Sequence, residues 1–276
     1  MSSLEAVAAL VPFLRARHGP AVSGDLLAAD LIADPDRLAA EIAATAGGRQ
    51  SDDPQVLASL WWQAYSYRIA GTTLAAWVVA GSAPDPAAAA GGGVGVSRAR
   101  PSSLVVGPDA ADLADLDTLA GRLFGGHLDP LAESLRARHP IGRRLVWGNA
   151  AASIASCLGA VACADGAAPN LGEHIDAATA TLPHHMAGLG TWVEPHRRYR
   201  RTTCCLWWKT AAANGALCED CSLRGERSDR AARASDRPNW SPLASSLRDG
   251  RVVGSTSELA ARRWGLGAQP PAEGKR

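Results

Sequence analysis

The chain has 276 residues, enough for one large domain or two smaller ones with a buried core. Hydrophobic residues make up 47% and charged residues 20%, the balance of a folded soluble protein rather than a disordered one. With 28 basic residues against 27 acidic, the formal charge of +1 by itself asks for neither a nucleic acid nor a membrane surface as partner.

In chain order, Leu4, Val7, Leu10, Val11 and Leu14 recur at helical spacing and predict a helix over 4–18. A helical pair is expected over 24–46, broken or bent near Pro35. Asp53 and Pro54 have the chemistry of an N-cap and a first-turn proline, and open the longest helical region, to about Ala80, with Gly71 as a potential break. Within it, Trp61, Trp62, Tyr65, Tyr67 and Arg68 form an aromatic cluster that reads as helix core, or else as a pocket wall. Residues 83–102 have linker composition, in which Val94–Ser97 and Leu104–Gly107 could pair as a hairpin. Helices are then expected at 110–124, from Asp129–Pro130 to Arg138, at 141–163 and at 171–181. From Trp192 to Lys209 the aromatics, threonines and arginines favour extended or irregular structure. Beyond residue 225 the chain is polar, with one further helix expected at 256–264.

The N-terminus shows no basic segment leading into an apolar run, so an export signal is not expected. Residues 69–80 and 145–164 are apolar, but the first is soon interrupted and the second is rich in alanine, glycine and small polar residues. Both read as soluble helices rather than membrane spans. Six cysteines without an export signal argue against a disulfide framework.

Four of those six lie together, as Cys204–Cys205, twelve intervening residues, and Cys218-x-x-Cys221. Thiolates are soft, strongly donating ligands, and four of them suit an iron–sulfur or a zinc site. Ala211–Gly215 offers a turn without bulk, and Gly215 can adopt positive φ. The vicinal pair is unusual, because neighbouring side chains in an extended segment point to opposite faces. A two-iron cluster accommodates such a pair more readily than a single zinc ion. A disulfide and four unliganded thiols are further readings of the same residues. Cys157 and Cys163 lie six apart on a helix, face different directions, and read as small hydrophobes. The adjacent His184 and His185 read as surface or structural residues. The basic run His196–Arg201 reads either as a solvated loop or as a source of positive charge beside the first ligands.

The segment from Arg200 to Cys221 resembles the C-terminal signature of the FhuF-like family of siderophore iron reductases. The resemblance rests on the Arg200-Arg201-Thr202-Thr203 lead, the vicinal cysteines, the Trp207–Trp208 pair, Gly215 and the Cys-x-x-Cys. It extends more weakly to His127–Leu131, Leu145–Ala150 and Leu60–Arg68. The spacer is longer here than in the family pattern, as is the tail after Cys221. The resemblance implies a [2Fe–2S] cluster bound by Cys204, Cys205, Cys218 and Cys221. It also implies a cytoplasmic oxidoreductase that passes one electron to a ferric siderophore, of hydroxamate type, and releases Fe(II). A ferredoxin or flavin reductase would act as electron donor; peripheral membrane contact is conceivable and no nucleic acid is involved. No general base or nucleophile is needed, which agrees with the lack of a Ser-His-Asp or paired-carboxylate motif. The alternatives are a non-enzymatic iron–sulfur redox sensor and a structural zinc protein.

The expected fold is mainly α with a small β element. It divides into a mainly helical domain at 1–190 that would dock the siderophore, a cluster-binding segment at 191–225, and a polar, flexible tail at 226–276.

Overall fold

The computed structural model describes residues 1–19, 22, 25–87, 94–97, 104–107, 110–194, 198–218 and 220–224. The tail from residue 225, with the helix expected at 256–264, lies outside them.

The fold is mainly helical with small sheets. Helix α1 (Ser3–Leu10) opens with a capping box: Ser2 accepts from the Glu5 amide while Glu5 accepts from the Ser2 amide. The helix expected over 4–18 is therefore shorter. It ends at Val11, just before Pro12, and the chain continues as strand β1 (Ala16–His18). The region expected to be a helical pair over 24–46 begins with strand β2 (Asp25–Leu27). Then come α2 (Ala28–Ala33) and α3 (Pro35–Ala43), broken at Asp34, whose carboxylate caps α3 ahead of the first-turn Pro35. A short α4 (Ala46–Arg49) follows.

Helix α5 (Pro54–Ser66) starts as anticipated, with Asp53 accepting from the Gln55 and Val56 amides. Gly71 does not break the region. A π-helical turn (Tyr67–Gly71) runs continuously into α6 (Thr72–Ala80). The glycine is needed for packing instead: a Cβ there would sit 2.3 Å from Cys157 Sγ.

Strands β4 (Val94–Ser97) and β5 (Leu104–Val106) form the anticipated antiparallel pair, with Gly95 opposite Val105. They belong to a larger sheet than a lone hairpin, of order β1-β5-β4-β2, in which β1 runs parallel to β5. Strand β3 (Ala83–Pro84) pairs with β6 (Asp112–Leu113), which takes up part of the stretch expected as helix from 110. Helices α7 (Leu116–Leu123), α8 (Asp129–Arg138), α9 (Arg143–Ala162) and α10 (Leu171–Ala180) follow. A second π-helical turn (Phe124–Leu128) joins α7 to α8. Strands β7 (Gly190–Glu194) and β8 (Arg198–Arg201) follow as an antiparallel pair.

Helices α5 and α9 form the spine. Asn149, Ser153 and Cys157, four residues apart on α9, each donate to a carbonyl of α5 or the π-helical turn that continues it, the acceptors likewise four residues apart. The acceptors are Ser59 O at 3.0 Å, Gln63 O at 2.9 Å and Tyr67 O at 3.6 Å. The register advances together, so the two helices run in the same direction. The small residues of α9 permit this close approach, and Cys157 acts as a buried packing residue rather than a ligand. Trp62 is wholly buried, donates to Val146 O at 2.8 Å, and meets the Trp147 ring edge-on at 6.0 Å. Trp61, Tyr65, Tyr67 and Arg68 are also buried, so the aromatic cluster is core. By length and composition α9 could cross a membrane, but most of its apolar stretch is buried inside this fold.

His127 lies wholly buried between Tyr65, whose hydroxyl is 2.8 Å from Nε2, and the Pro86 carbonyl beside Nδ1. Burial pushes its pKa down to about 4, only partly offset by the Pro86 contact. The folded protein holds the imidazole neutral, whereas the unfolded chain takes up a proton below about pH 6.5. Stability from this site is therefore complete above that pH and declines as the pH falls from about 6.5 to about 4. The loss amounts to about 3 kcal/mol at full development. Urea unfolding at pH 7 and pH 4.5 should show that decline, and His127→Gln should flatten it.

Candidate metal centre

The four clustered cysteines lie in two irregular segments, Cys204 and Cys205 soon after β8 and Cys218 and Cys221 beyond two short turns. Strand β8 alternates, as strands do, sending Tyr199 and Arg201 inward while Arg198 and Arg200 face outward. The basic run ahead of the cysteines is thus divided: Arg201 is fully buried, and of the remainder His196 and Arg197 lie outside the described residues. Thr203 then packs on α9 at Gly148, where a Cβ would come within 2.1 Å of its hydroxyl. No bulkier residue could let the segment lie this close to the helix.

The sharp turn required by a vicinal cysteine pair is present. Leu206, directly after Cys205, has φ 67°, a left-handed conformation that a leucine seldom adopts. Short 3₁₀ turns at Trp207–Lys209 and Ala211–Ala213 follow, the second capped by Thr210, whose hydroxyl accepts from the Ala213 amide at 3.1 Å. Asn214 and Gly215, at φ 45° and 75°, reverse the chain toward Cys218. Gly215 thus does what its residue type allows. The Ala211 amide donates to Gln50 O, tying this loop to the end of α4. Arg224 closes the Cys-x-x-Cys turn by donating to Cys218 O at 2.8 Å and Leu217 O at 3.1 Å.

Cys205, Cys218 and Cys221 are buried in an apolar cluster with Val56 and Leu60 of α5, flanked by Leu206, Trp207, Leu217 and Leu223. The Sγ atoms of Cys205 and Cys218 are 3.3 Å apart. Cys204 is only partly buried; its sulfur accepts from the Leu206 amide at 3.4 Å and lies within the electrostatic reach of Cys205 and Cys221. Burial pushes the Cys204 thiol up. Cys205 is held low, first by its hydrogen bond with Cys218 and then by the Arg201 charge, while the same contact pushes Cys218 up. Among the described residues, no three His, Cys, Asp or Glu side chains converge as a ready-made metal cage. The four thiols are gathered in one neighbourhood without closing on a single point.

Anchors that the sequence did not suggest hold the segment in place. Ser59 donates to Cys205 O at 2.8 Å, and Asn149 Nδ2 reaches both Ser59 O and its hydroxyl. Arg201 donates through Nε and Nη2 to Asp220 Oδ2, at 2.8 and 2.6 Å, and through Nη1 to Asn149 Oδ1 at 3.0 Å. Burial works against the Arg201 charge, but Asp220 and the nearby sulfurs outweigh it and hold its pKa above the ordinary value. An acidic residue inside the Cys-x-x-Cys turn was the one visible hint, since a buried carboxylate needs a cation.

Trp207 packs on the sulfur cluster with the Arg49 guanidinium 6.0 Å from its ring centroid, whereas Trp208 is 40% exposed. The His185 ring stands 4.4 Å from that of Trp147 and does not join the cysteines. Cys163 is exposed at the end of α9. Comparison with protein-family models gives no match, and comparison with curated proteins gives none either.

Proposed function

We propose that Cys204, Cys205, Cys218 and Cys221 hold a [2Fe–2S] cluster and that the protein is a cytoplasmic ferric-siderophore reductase. The observation that carries this reading is the gathering of four thiols, three of them buried, against an apolar wall with a buried cation beside them. An all-sulfur donor set in water-poor surroundings suits iron–sulfur ligation, and amides and cations aimed at the sulfurs favour the anionic centre. When bound, such a cluster stores one electron from a ferredoxin or flavin reductase and passes it on to ferric iron.

The protein's own residues exclude water and position the centre. Val56, Leu60 and Trp207 cover the sulfurs, while partly exposed Cys204 and exposed Trp208 mark the face open to a siderophore. The substrate gains one electron, Fe(III) becomes Fe(II), the donor is oxidised by the same electron, and no covalent bond breaks. Hard oxygen donors of a hydroxamate siderophore hold Fe(II) far less tightly, so the metal leaves.

Anaerobically purified protein should contain iron and acid-labile sulfide in equal amounts and give a paramagnetic resonance signal after one-electron reduction. Reduced protein should release Fe(II) from a ferric hydroxamate siderophore to a ferrous chelator. Zinc without sulfide would make this a structural zinc protein. A loaded protein that leaves ferric siderophores untouched would point to a redox sensor.

A further inference from the structure

We propose that Arg201 and Asp220 are a charge pair that sets the reduction potential of the centre held by the four cysteines, Arg201 raising it and Asp220 lowering it. This rests on the reading above that the cysteines hold a redox-active cluster, and extends it to residues that are not ligands.

The geometry isolates the pair. The Arg201 side chain has no exposure and that of Asp220 only 8%, so solvent hardly screens either charge. Arg201 Nη2 lies 3.9 Å from Cys218 Sγ, while Nη1 donates to Asn149 Oδ1 at 3.0 Å. All three nitrogens of the guanidinium are thus engaged within the site, by a carboxylate, a side-chain amide and a sulfur. A buried ion pair is weak evidence for stability, because desolvating both charges consumes most of their attraction. Here it also bridges β8, α9 and the Cys-x-x-Cys turn, so anchoring is the competing account.

The two accounts differ in sign. An electron added to the centre increases its negative charge, and a fixed cation nearby favours that state while a fixed anion opposes it. Asp220→Asn keeps the shape and an acceptor oxygen but removes the anion, so it should make reduction easier. Asn149→Asp keeps the size and the acceptor that faces Arg201 Nη1, gives up the Nδ2 donation to Ser59 and adds an anion, so it should make reduction harder. An anchor alone predicts no such opposition.

The test is an anaerobic redox titration, followed by the visible spectrum, of the full-length loaded protein and three variants: Asp220→Asn, Asn149→Asp and Asp220→Glu. Asp220→Asn is expected to shift the reduction equilibrium about tenfold toward the reduced form and Asn149→Asp about tenfold the other way, each about 59 mV for one electron. Asp220→Glu, which preserves the charge, should stay close to wild type. Shifts of the same sign, or no shift, in wild-type-like folded variants would overturn the inference while leaving the cluster reading intact. The same holds if Asp220→Glu moves as far as Asp220→Asn. A wild-type protein free of iron and sulfide would overturn both. If one isosteric variant fails to load, the sign of the other decides.

Discussion

Serine in place of Cys204, Cys205, Cys218 or Cys221 is expected to abolish or severely deplete bound iron and sulfide. A hydroxyl is a hard, weakly donating group where a soft thiolate is needed. Outer partners of metal ligands already contribute about 10–100-fold in metal affinity, so a ligand itself should contribute more than about 100-fold. Cys205, Cys218 and Cys221 sit in the apolar cluster with Val56 and Leu60, where water cannot easily substitute as ligand, and their variants should retain the least. Cys204 is partly exposed, so Cys204→Ser should retain the most. The internal control is Cys157→Ser. Its sulfur faces Tyr67 O, eight residues beyond Asn149 on the same face of α9, and the variant should load like wild type. Iron and sulfide analysis on folded protein, verified by circular dichroism, reads the series. Loss of metal in Cys157→Ser with retention in Cys205→Ser would refute the ligand set.

The second large effect is expected at Trp62. Its ring is fully buried at the crossing of α5 and α9, edge-on to Trp147, and its indole N–H is bonded to Val146 O. Trp62→Ala removes most of that volume at a place where both helices are fixed by the Asn149, Ser153 and Cys157 bonds and cannot easily close the gap. A loss of about 3–5 kcal/mol follows from cavity formation and lost contacts. Trp62→Phe keeps an aromatic ring and should cost less. Urea denaturation of the two variants beside wild type measures both. Because Ser59 and Asn149 belong to the same helix pair and hold the cysteine segment, Trp62→Ala should also load less metal than Trp62→Phe.

Much of the helical framework was legible because its signals are local. Asp53–Pro54 carries cap and first-turn chemistry in adjacent residues, and α5 begins there, while Pro35, read as a break or bend, opens α3 behind its Asp34 cap. The β4–β5 pairing and the α8 boundaries were legible for the same reason. Helix α1 was over-extended because apolar periodicity continued through Val11 and Leu14, while Pro12 and the pairing of β1 with β5 won. That partner lies far along the chain, where periodicity carries no information.

The sequence by itself determined the mainly helical class, the aromatic core of α5 and the candidate donor set, since residue type and short spacing suffice for these. Only the tertiary structure decided what surrounds those sulfurs. Leucine is a poor residue for left-handed backbone, yet Leu206 adopts it, held by contacts made elsewhere. Nothing near Arg201 in sequence sends it inward to Asn149 and Asp220 while Arg200 stays outside. Such pairings join residues 19 and 52 positions apart. Their free energy exists only once the chain has closed the intervening loops and excluded water, and no local pattern encodes that.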